Sequence, residues 1–424
     1  MSENEKKMGG SSLRQSGQEA ATTDSRAWWR VGLAVVAVGW GAQQFAPLLL
    51  MYQAKLGLST TIVQATFGFY VLGLIPGLLL GGPVSDQYGR RRVMALALAA
   101  SIVGTALLIL GGTGVRWLFG GRLVAGIASG AAFSSGAAWI KELSAASSPN
   151  GAKHGPRRVT IAMGIGFGLG PLVAGVLAQW APAPTILPYL PHLVLAIAAF
   201  PLALRVPEPR TPTSQNSLLK HLRIHEVRER RFLTVVAPLA PWVFIPVSIG
   251  VAYLPGLVKS HLAGHELIFS AAVVVLCAAA GIFVQPVARR LDHPNKPRLL
   301  ATALGLVVAG MIIAAVAVAT TQPVLVLVAD LVLGAAYGCC QVCGLLEVQR
   351  LAQPDHLAGL TAAYQAISYL GFAASFPLAA ASRIVPASAL LLAVAVFAAL
   401  TLAWTTRKAS SDHCKASGEL CSAS

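Results

Sequence analysis

Charge is the scarcest commodity in this chain: of 424 residues only 11% are Asp, Glu, Lys or Arg. A soluble globular domain carries about 25%, so a water-facing surface of ordinary composition cannot be assembled from these residues. The acids are fewest, 16 against 32 basic residues. Paired carboxylates for acid–base work do not occur inside the apolar stretches. No nucleotide-binding glycine loop and no soluble catalytic module interrupts them, so an enzyme is not expected. Cysteine is present six times, within apolar stretches or close to the C-terminus, with no spacing that suggests a disulfide framework or a metal site. Cys339, Cys340 and Cys343 lie together but lack a His or carboxylate at ligand spacing, and they are expected to be small packing residues.

What the chain has instead is long apolar runs. Hydrophobic residues make up 55% of it. Runs of about 20 such residues are long enough to cross a ~30 Å hydrocarbon core as helices. In lipid every backbone polar group must find an internal partner, which for runs of this length means α-helix. Twelve runs stand between polar breaks, at 29–52, 61–85, 93–113, 116–139, 159–181, 186–205, 232–256, 265–288, 299–320, 322–347, 357–382 and 384–406. The fold class that follows is an all-α membrane protein of twelve transmembrane helices in two pseudo-symmetric halves of six. Residues 29–205 form the first half, 206–231 a polar linker and 232–406 the second half, between tails 1–28 and 407–424. The polar N-terminus lacks a cleavable signal pattern and reads as a disordered tail.

The formal charge of +16 raises the possibility of a nucleic-acid partner, but the basic residues do not gather on one soluble module. They follow topology. With both termini in the cytoplasm, 27 of the 32 Lys and Arg fall on the inside, among them the triplet 90–92 and seven between Arg205 and Arg231. Lys55, Arg116, Lys259 and Arg383 fall outside, and Arg122 is left in the membrane. This is the positive-inside pattern of a multi-pass protein of the plasma membrane (the inner membrane of a bacterium) with both termini cytoplasmic. The lipid bilayer is its expected partner, nucleic acid is not, and a monomer suffices.

Sliding the sequence by 208 residues lays 121–143 over 329–351 without a gap. Leu123/Leu331, Gly126/Gly334, Gly130/Gly338 and Gly136/Gly344 coincide, and Arg122 falls on Asp330. The fourth and tenth spans are therefore copies. The glycines at i, i+4 and i+8 from the ionisable residue suit close helix packing. Packing does not account for Arg122 and Asp330, because a charge in a span costs at least ~2.5–3.5 kcal/mol. Either they face one cavity at one depth, or they form a purely structural buried pair. A looser echo sets 45–52 over 244–253, in the first and seventh spans.

At the inner end of the second span stands GGPVSDQYGRRR, residues 81–92. Gly82, Asp86, Gly89, Arg90 and Arg91 resemble the G-x-x-x-D-x-x-G-R-R loop of the major facilitator superfamily, and the resemblance extends from the first span to the twelfth. It implies a cytoplasmic gate. Gly82 would allow close approach to the eleventh span, and Asp86 would pair with Arg90 and a neighbouring helix N-terminus when the inside is closed. Gln87 stands where the family often has a basic residue, and the second-half counterpart, 285–298, keeps little of the motif. Arg122-x-x-x-Gly126 resembles the fourth-span motif linked to proton transfer in proton-coupled exporters. Gly166, Gly170, Pro171 and Gly175 resemble the fifth-span motif of the drug:proton antiporters, with Ala174 replacing one glycine.

The function these features imply is secondary active transport by alternating access, with proton-coupled efflux of a small amphipathic or hydrophobic compound leading and uptake of a metabolite by symport or facilitated diffusion second. No cofactor is expected, the proton gradient being the energy source. Asp330 and Arg122 are the candidates for proton coupling, since Arg keeps its proton whereas a buried carboxyl can gain and lose one. Gln43, Gln44, Trp242, Tyr364 and Gln365 are candidates for the substrate cavity, each equally open to a packing role. His192 reads as a satisfied packing histidine, and Glu347 as an interfacial acid near Arg350.

Overall fold

The computed structural model describes residues 27–147, 151–208, 227, 229–293, 296–353 and 356–422. Residues 1–26, 209–226 and 228, with most of the basic residues assigned to the N-terminal tail and the linker, lie outside the described residues. Among the described residues, eleven helices are long and apolar enough to span a membrane. They are α1 (Ala27–Leu56), α2 (Thr60–Tyr88), α3 (Arg90–Thr113), α4 (Val115–Ser147), α5 (Lys153–Trp180) and α6 (Leu187–Leu204) in the first half. The second half contributes α7 (Phe232–Leu257), α8 (Glu266–Leu291), α9 (Arg298–Ala319) and α10 (Pro323–Leu351), and, after α11, the last of the eleven. The predicted span 357–382 is present as α11, but interrupted: helices Leu357–Tyr369 and Ser375–Ala381 flank a 3-10 stretch, Leu370–Ala374. The twelfth helix, α12, runs Ala387–Ser422, past the predicted end of its span.

α1 and α7 are interrupted as well. α1 changes to a 3-10 turn at Ala46–Leu48, which contains Pro47. α7 alternates between α, 3-10 and π segments, the longest π segment being Ser248–Tyr253. Four prolines, Pro238, Pro241, Pro246 and Pro255, fall in α7. Each removes a backbone donor and crowds the preceding turn, which explains why a regular helix does not persist.

The repeat is visible as helix-on-helix contact. Gly126 and Gly130 of α4 lie against the backbone of α2 at Tyr70 to Leu78, and Gly73 of α2 faces Leu123 and Ile127 in return. In the second half Gly334 and Gly338 of α10 lie against Cys277 and Gly281 of α8. Gly73 and Gly281 are themselves 208 residues apart, so the offset found for α4 and α10 also relates α2 to α8. A side chain on Gly73, Gly126, Gly130, Gly334 or Gly338 would meet backbone, which cannot move aside as a flexible side chain can, and one on Gly281 would meet the ring of Tyr337.

Basic loops mark one face of the bundle, including Arg90, Arg91 and Arg92 at the start of α3. On the opposite face and through the middle, the halves touch. Gly68 of α2 lies against Ala373 of α11, Gly175 of α5 against Ala271 of α8, and Gln64 Nε2 donates to the Ala252 carbonyl across 2.6 Å.

Gly130→Leu and Gly338→Leu should each separate a helix pair. Overpacking of this kind costs ~1–3 kcal/mol or more. A clear fall in melting temperature, or loss of monodisperse protein in detergent, is expected for both. A melting profile like that of the wild type would mean that the glycine contacts are not what holds α2 to α4 and α8 to α10.

Candidate functional site

Arg122 and Asp330 are each the eighth residue of their helices, α4 and α10. At 1.5 Å per residue that places both about 10–11 Å along the axis. Both side chains are sealed from solvent. Their surroundings differ completely. Arg122 donates from Nη1 to the Ala42 carbonyl (2.9 Å) and from Nη2 to the Phe67 carbonyl (3.3 Å). Three rings, Tyr70, Phe45 and Phe67, surround its guanidinium at 4.4, 5.1 and 5.6 Å. Ala42 is available because α1 loses its regular ladder a residue later. The break in α1 exposes a carbonyl, and the cation reaches from α4 to take it. Aromatic faces supply the remaining stabilisation of a charge held away from water.

Asp330 has no such partners. Neither carboxyl oxygen has a hydrogen-bond donor within reach. Its Oδ1 lies so close to Gly250 that a Cβ there would collide with it. Gly250 sits inside the π segment of α7. Ala42 and Gly250 are again 208 residues apart. The ionisable residue of each half therefore faces the same point on the first helix of its own half, where that helix departs from α geometry. This contact replaces the looser 45–52/244–253 echo, which would pair Ala42 with Pro241. Short apolar matches carry little register information, and here a shared F-x-P misled. Arg122 and Asp330 do not form an ion pair with each other: the partners of Arg122 belong to α1 and α2, whereas Asp330 lies against Gly250 of α7 and near Cys277 of α8.

Beside the Arg122 site lies a group of aromatic rings that reaches into the second half. Phe244 of α7 stacks on Tyr369 and Phe372 of α11, with centroids 4.5 and 4.6 Å apart and planes within 13° and 21°. Phe372 also meets Phe67 and Tyr70 of α2 edge-on at 5.8 and 6.3 Å. Tyr337 of α10 approaches Phe244 at 5.5 Å. Rings thus run without interruption from the guanidinium of Arg122 across the boundary between the halves. The 3-10 stretch of α11 is held to α7 by Ser248, whose hydroxyl donates to the Phe372 carbonyl (2.7 Å) and accepts from Ser375 N (3.3 Å).

The other predicted cavity residues are dispersed. Gln44 points into the first half, where its Nε2 donates to Thr105 Oγ1 at 3.1 Å. Thr105 and Ser101 both hydrogen-bond His192, a fully buried packing histidine. Trp242 donates from Nε1 to Thr401 of α12 at 3.2 Å, and Tyr364 is buried with its hydroxyl on the Cys340 carbonyl at 3.3 Å. Gln43, at the end of the first segment of α1, is half-buried. Gln365 is half-buried too, with its Oε1 enclosed and without a partner.

At the basic face, Arg90 pairs with Asp86 and contacts Ser85, and reaches Glu142 of α4 at 3.1 Å. Gly89 adopts a φ of 100°. A side chain there would collide with Glu208, whose carboxylate accepts from Arg91 N at 2.9 Å and so caps α3. Gly82 meets only Ser134 of α4 and no atom of α11. The second half carries its own cluster: Arg350 binds Asp292 at 2.6 Å and Glu347 at 2.7 Å, and Glu347 takes Arg231 at 2.9 Å. In α5, Gly166 and Gly170 pack on Val36–Trp40 of α1, and Pro171 sits within the helix beyond them.

Glu208, Gly250 and the aromatic group escaped sequence reading. Aromatic residues make up only 7% of the chain, spread over helices distant in sequence. Extending the 208-residue slide to Ala42 and Gly73 would have found part of this site.

Residues 31–376 match the Major Facilitator Superfamily. A 62-residue stretch is 42% identical to a triacylglyceride transporter of Mycobacteroides abscessus, covering 15% of this chain and 12% of that one. A 95-residue stretch is 30% identical to the glucose transporter GlcP of Staphylococcus epidermidis, covering 22% and 21%. The matched stretches thus span only 12% and 21% of the length of these relatives. Among solved structures, a D-xylose–proton symporter superposes with a TM-score of 0.67 at 16% identity, over 88% of this chain and 96% of that one. A POT family transporter in complex with 5-aminolevulinic acid gives 0.73 at 11%, over 91% and 97%.

Arg122→Lys should lower the melting temperature, because one ammonium cannot span two carbonyls and charged hydrogen bonds contribute ~1.5–3 kcal/mol each. Asp330→Asn, which removes no existing hydrogen bond, should leave it nearly unchanged. Equal thermal shifts in the two variants would contradict the difference in surroundings.

Proposed function

Because the chain belongs to the Major Facilitator Superfamily, a family of membrane transporters, we propose that it works by alternating access and exports a small amphipathic or hydrophobic compound against protons. The observation that carries this reading is the pairing of an aromatic centre with one buried, partnerless carboxyl. Ring faces between Phe244, Tyr369, Phe372 and Tyr70 offer apolar contact area where the halves meet. Asp330 is the deep group able to change charge there, while Arg122 keeps a fixed one.

The proposed cycle follows from cost. An isolated carboxylate away from water is expensive. The enclosed position of Asp330 fits the neutral acid, and the ionised form needs water, which an open cavity would bring. Protonation of Asp330 then alternates with substrate occupancy. The basic face is cytoplasmic in this reading, with both termini inside and the protein in the plasma membrane, acting as a monomer with the proton gradient as its energy source. The glycine–proline pattern of α5 supports the antiporter subtype. The Asp86–Arg90–Glu142 cluster would be the inner gate, with Gly82 free to receive α11 when the inside closes.

Uptake is the second reading, favoured by the local likeness to a glucose transporter. Intracellular accumulation of candidate compounds, with and without a proton uncoupler, separates the two. Efflux predicts that the uncoupler raises accumulation; symport predicts that it lowers it.

Asp330→Asn should abolish proton-driven transport while retaining substrate binding or downhill exchange. Transport at the wild-type rate that still responds to the uncoupler would assign the proton to another path. C-terminal reporter fusions should place the tail in the cytoplasm; an external tail would reverse the orientation.

A further inference from the structure

We propose that Gln179, near the end of α5, is the releasable clamp of the outer gate. It joins the first half to a helix of the second while the outer side is closed, and lets go when that side opens. The proposal rests on alternating access and on the orientation given above, and needs neither the proton nor the direction of transport.

α8 begins at Glu266, and the residue before it, His265, offers no side-chain cap. The first backbone N–H groups of a helix have no intrahelical acceptor. Here the acceptor comes from the other half of the molecule. Gln179 Oε1 accepts from Leu267 N at 3.2 Å and from Ile268 N at 3.3 Å. Its Nε2 donates to the Gly264 carbonyl at 2.7 Å. One amide thus makes three hydrogen bonds across the boundary, to groups 85, 88 and 89 residues away in sequence. One turn deeper, Gly175 allows α5 to touch Ala271 of α8.

The chemistry suits a contact that must break. Gln179 is half-buried, so water can reach both the amide and the α8 terminus as they part. Exchange of protein for water partners keeps the net cost of release small, whereas a buried charge pair would resist it. On the other side of the seal Gln64 donates to the Ala252 carbonyl, Thr61 to the Ala379 carbonyl at 3.2 Å, and Arg383 to Ser59 at 3.4 Å. Those bonds each join a single donor to a single acceptor. The Gln179 amide also supplies the missing cap of a membrane helix, which makes it the contact whose loss should shift the gate most.

The test uses the full chain in a cysteine-free version that keeps the wild-type melting profile. Spin labels go at Pro182 and Ser260, exposed positions on the two halves at the outer side. Distances between them are measured by double electron–electron resonance. Gln179→Leu should raise the ratio of long-distance to short-distance populations roughly five- to tenfold. Gln179→Glu keeps an acceptor at the α8 N-terminus, where a negative charge is favoured, but loses the donor to the Gly264 carbonyl, and should fall between wild type and Gln179→Leu. Labels at Thr113 and Pro182, both in the first half, should show no change in either variant. An unchanged Pro182–Ser260 distribution in Gln179→Leu would overturn the proposal. So would opening by Gln179→Glu as large as that by Gln179→Leu, or a change in the Thr113–Pro182 distances, which would mark local unfolding of α5.

Discussion

The backbone-to-backbone contact of α4 with α2, and of α10 with α8, is the constraint on which the site depends. Inside a bilayer there is little hydrophobic gain from packing one apolar helix on another, so close van der Waals approach must do the holding. Gly126, Gly130, Gly334 and Gly338 permit it. Once α4 and α10 are fixed in depth by those contacts, so are Arg122 and Asp330, one turn before the first glycine of each pair. A half-turn slip would carry the guanidinium away from the Ala42 carbonyl and the carboxyl away from Gly250. The glycines therefore set the position of the chemistry as well as the strength of the packing.

The interrupted helices complement this rigidity. α1, α7 and α11 each depart from α geometry, and each departure is occupied. Arg122 takes a carbonyl at the α1 break, Asp330 lies against the π segment of α7, and Ser248 satisfies two backbone groups at the α11 break. In a low-dielectric surrounding an unpaired backbone group is costly, so side chains that fill such breaks also decide where the chain can bend. The aromatic group joins the irregular parts of α7 and α11 to the regular helices α2 and α10.

Much of this was legible in the sequence because lipid imposes simple demands. Span positions follow from apolar length, and the ends of most helices lie within a few residues of those expected. The interruption of α11 was not legible, since a run such as 357–382 remains uniformly apolar whatever its backbone does. Gly82, Asp86, Gly89 and Arg90 could be recognised by spacing, yet the partner that makes Gly89 necessary, Glu208, lies beyond α6 and has no local signature. The depth of Arg122 and Asp330 could be read from the offset, but their partners could not. A cation satisfied by carbonyls and rings leaves no charged counterpart for a sequence to display. Gln44, Trp242 and Tyr364 show the complementary difficulty: a polar residue in a span must bond to something, and a neighbouring helix serves as well as a substrate.

The 208-residue offset also relates Glu142 of α4 to Arg350 of α10, just as it relates Arg122 to Asp330. At both levels the copies have kept the position and inverted the sign. The two halves are thus alike as shapes yet opposite in sign at these two points, whereas Arg90 and Arg298, related by the same offset at the starts of α3 and α9, keep theirs. At these two levels a field across the membrane would push the halves in opposite directions whenever Asp330 is ionised. Such a molecule carries a difference between its halves at the level of single charges, set on helices that the repeat keeps in register.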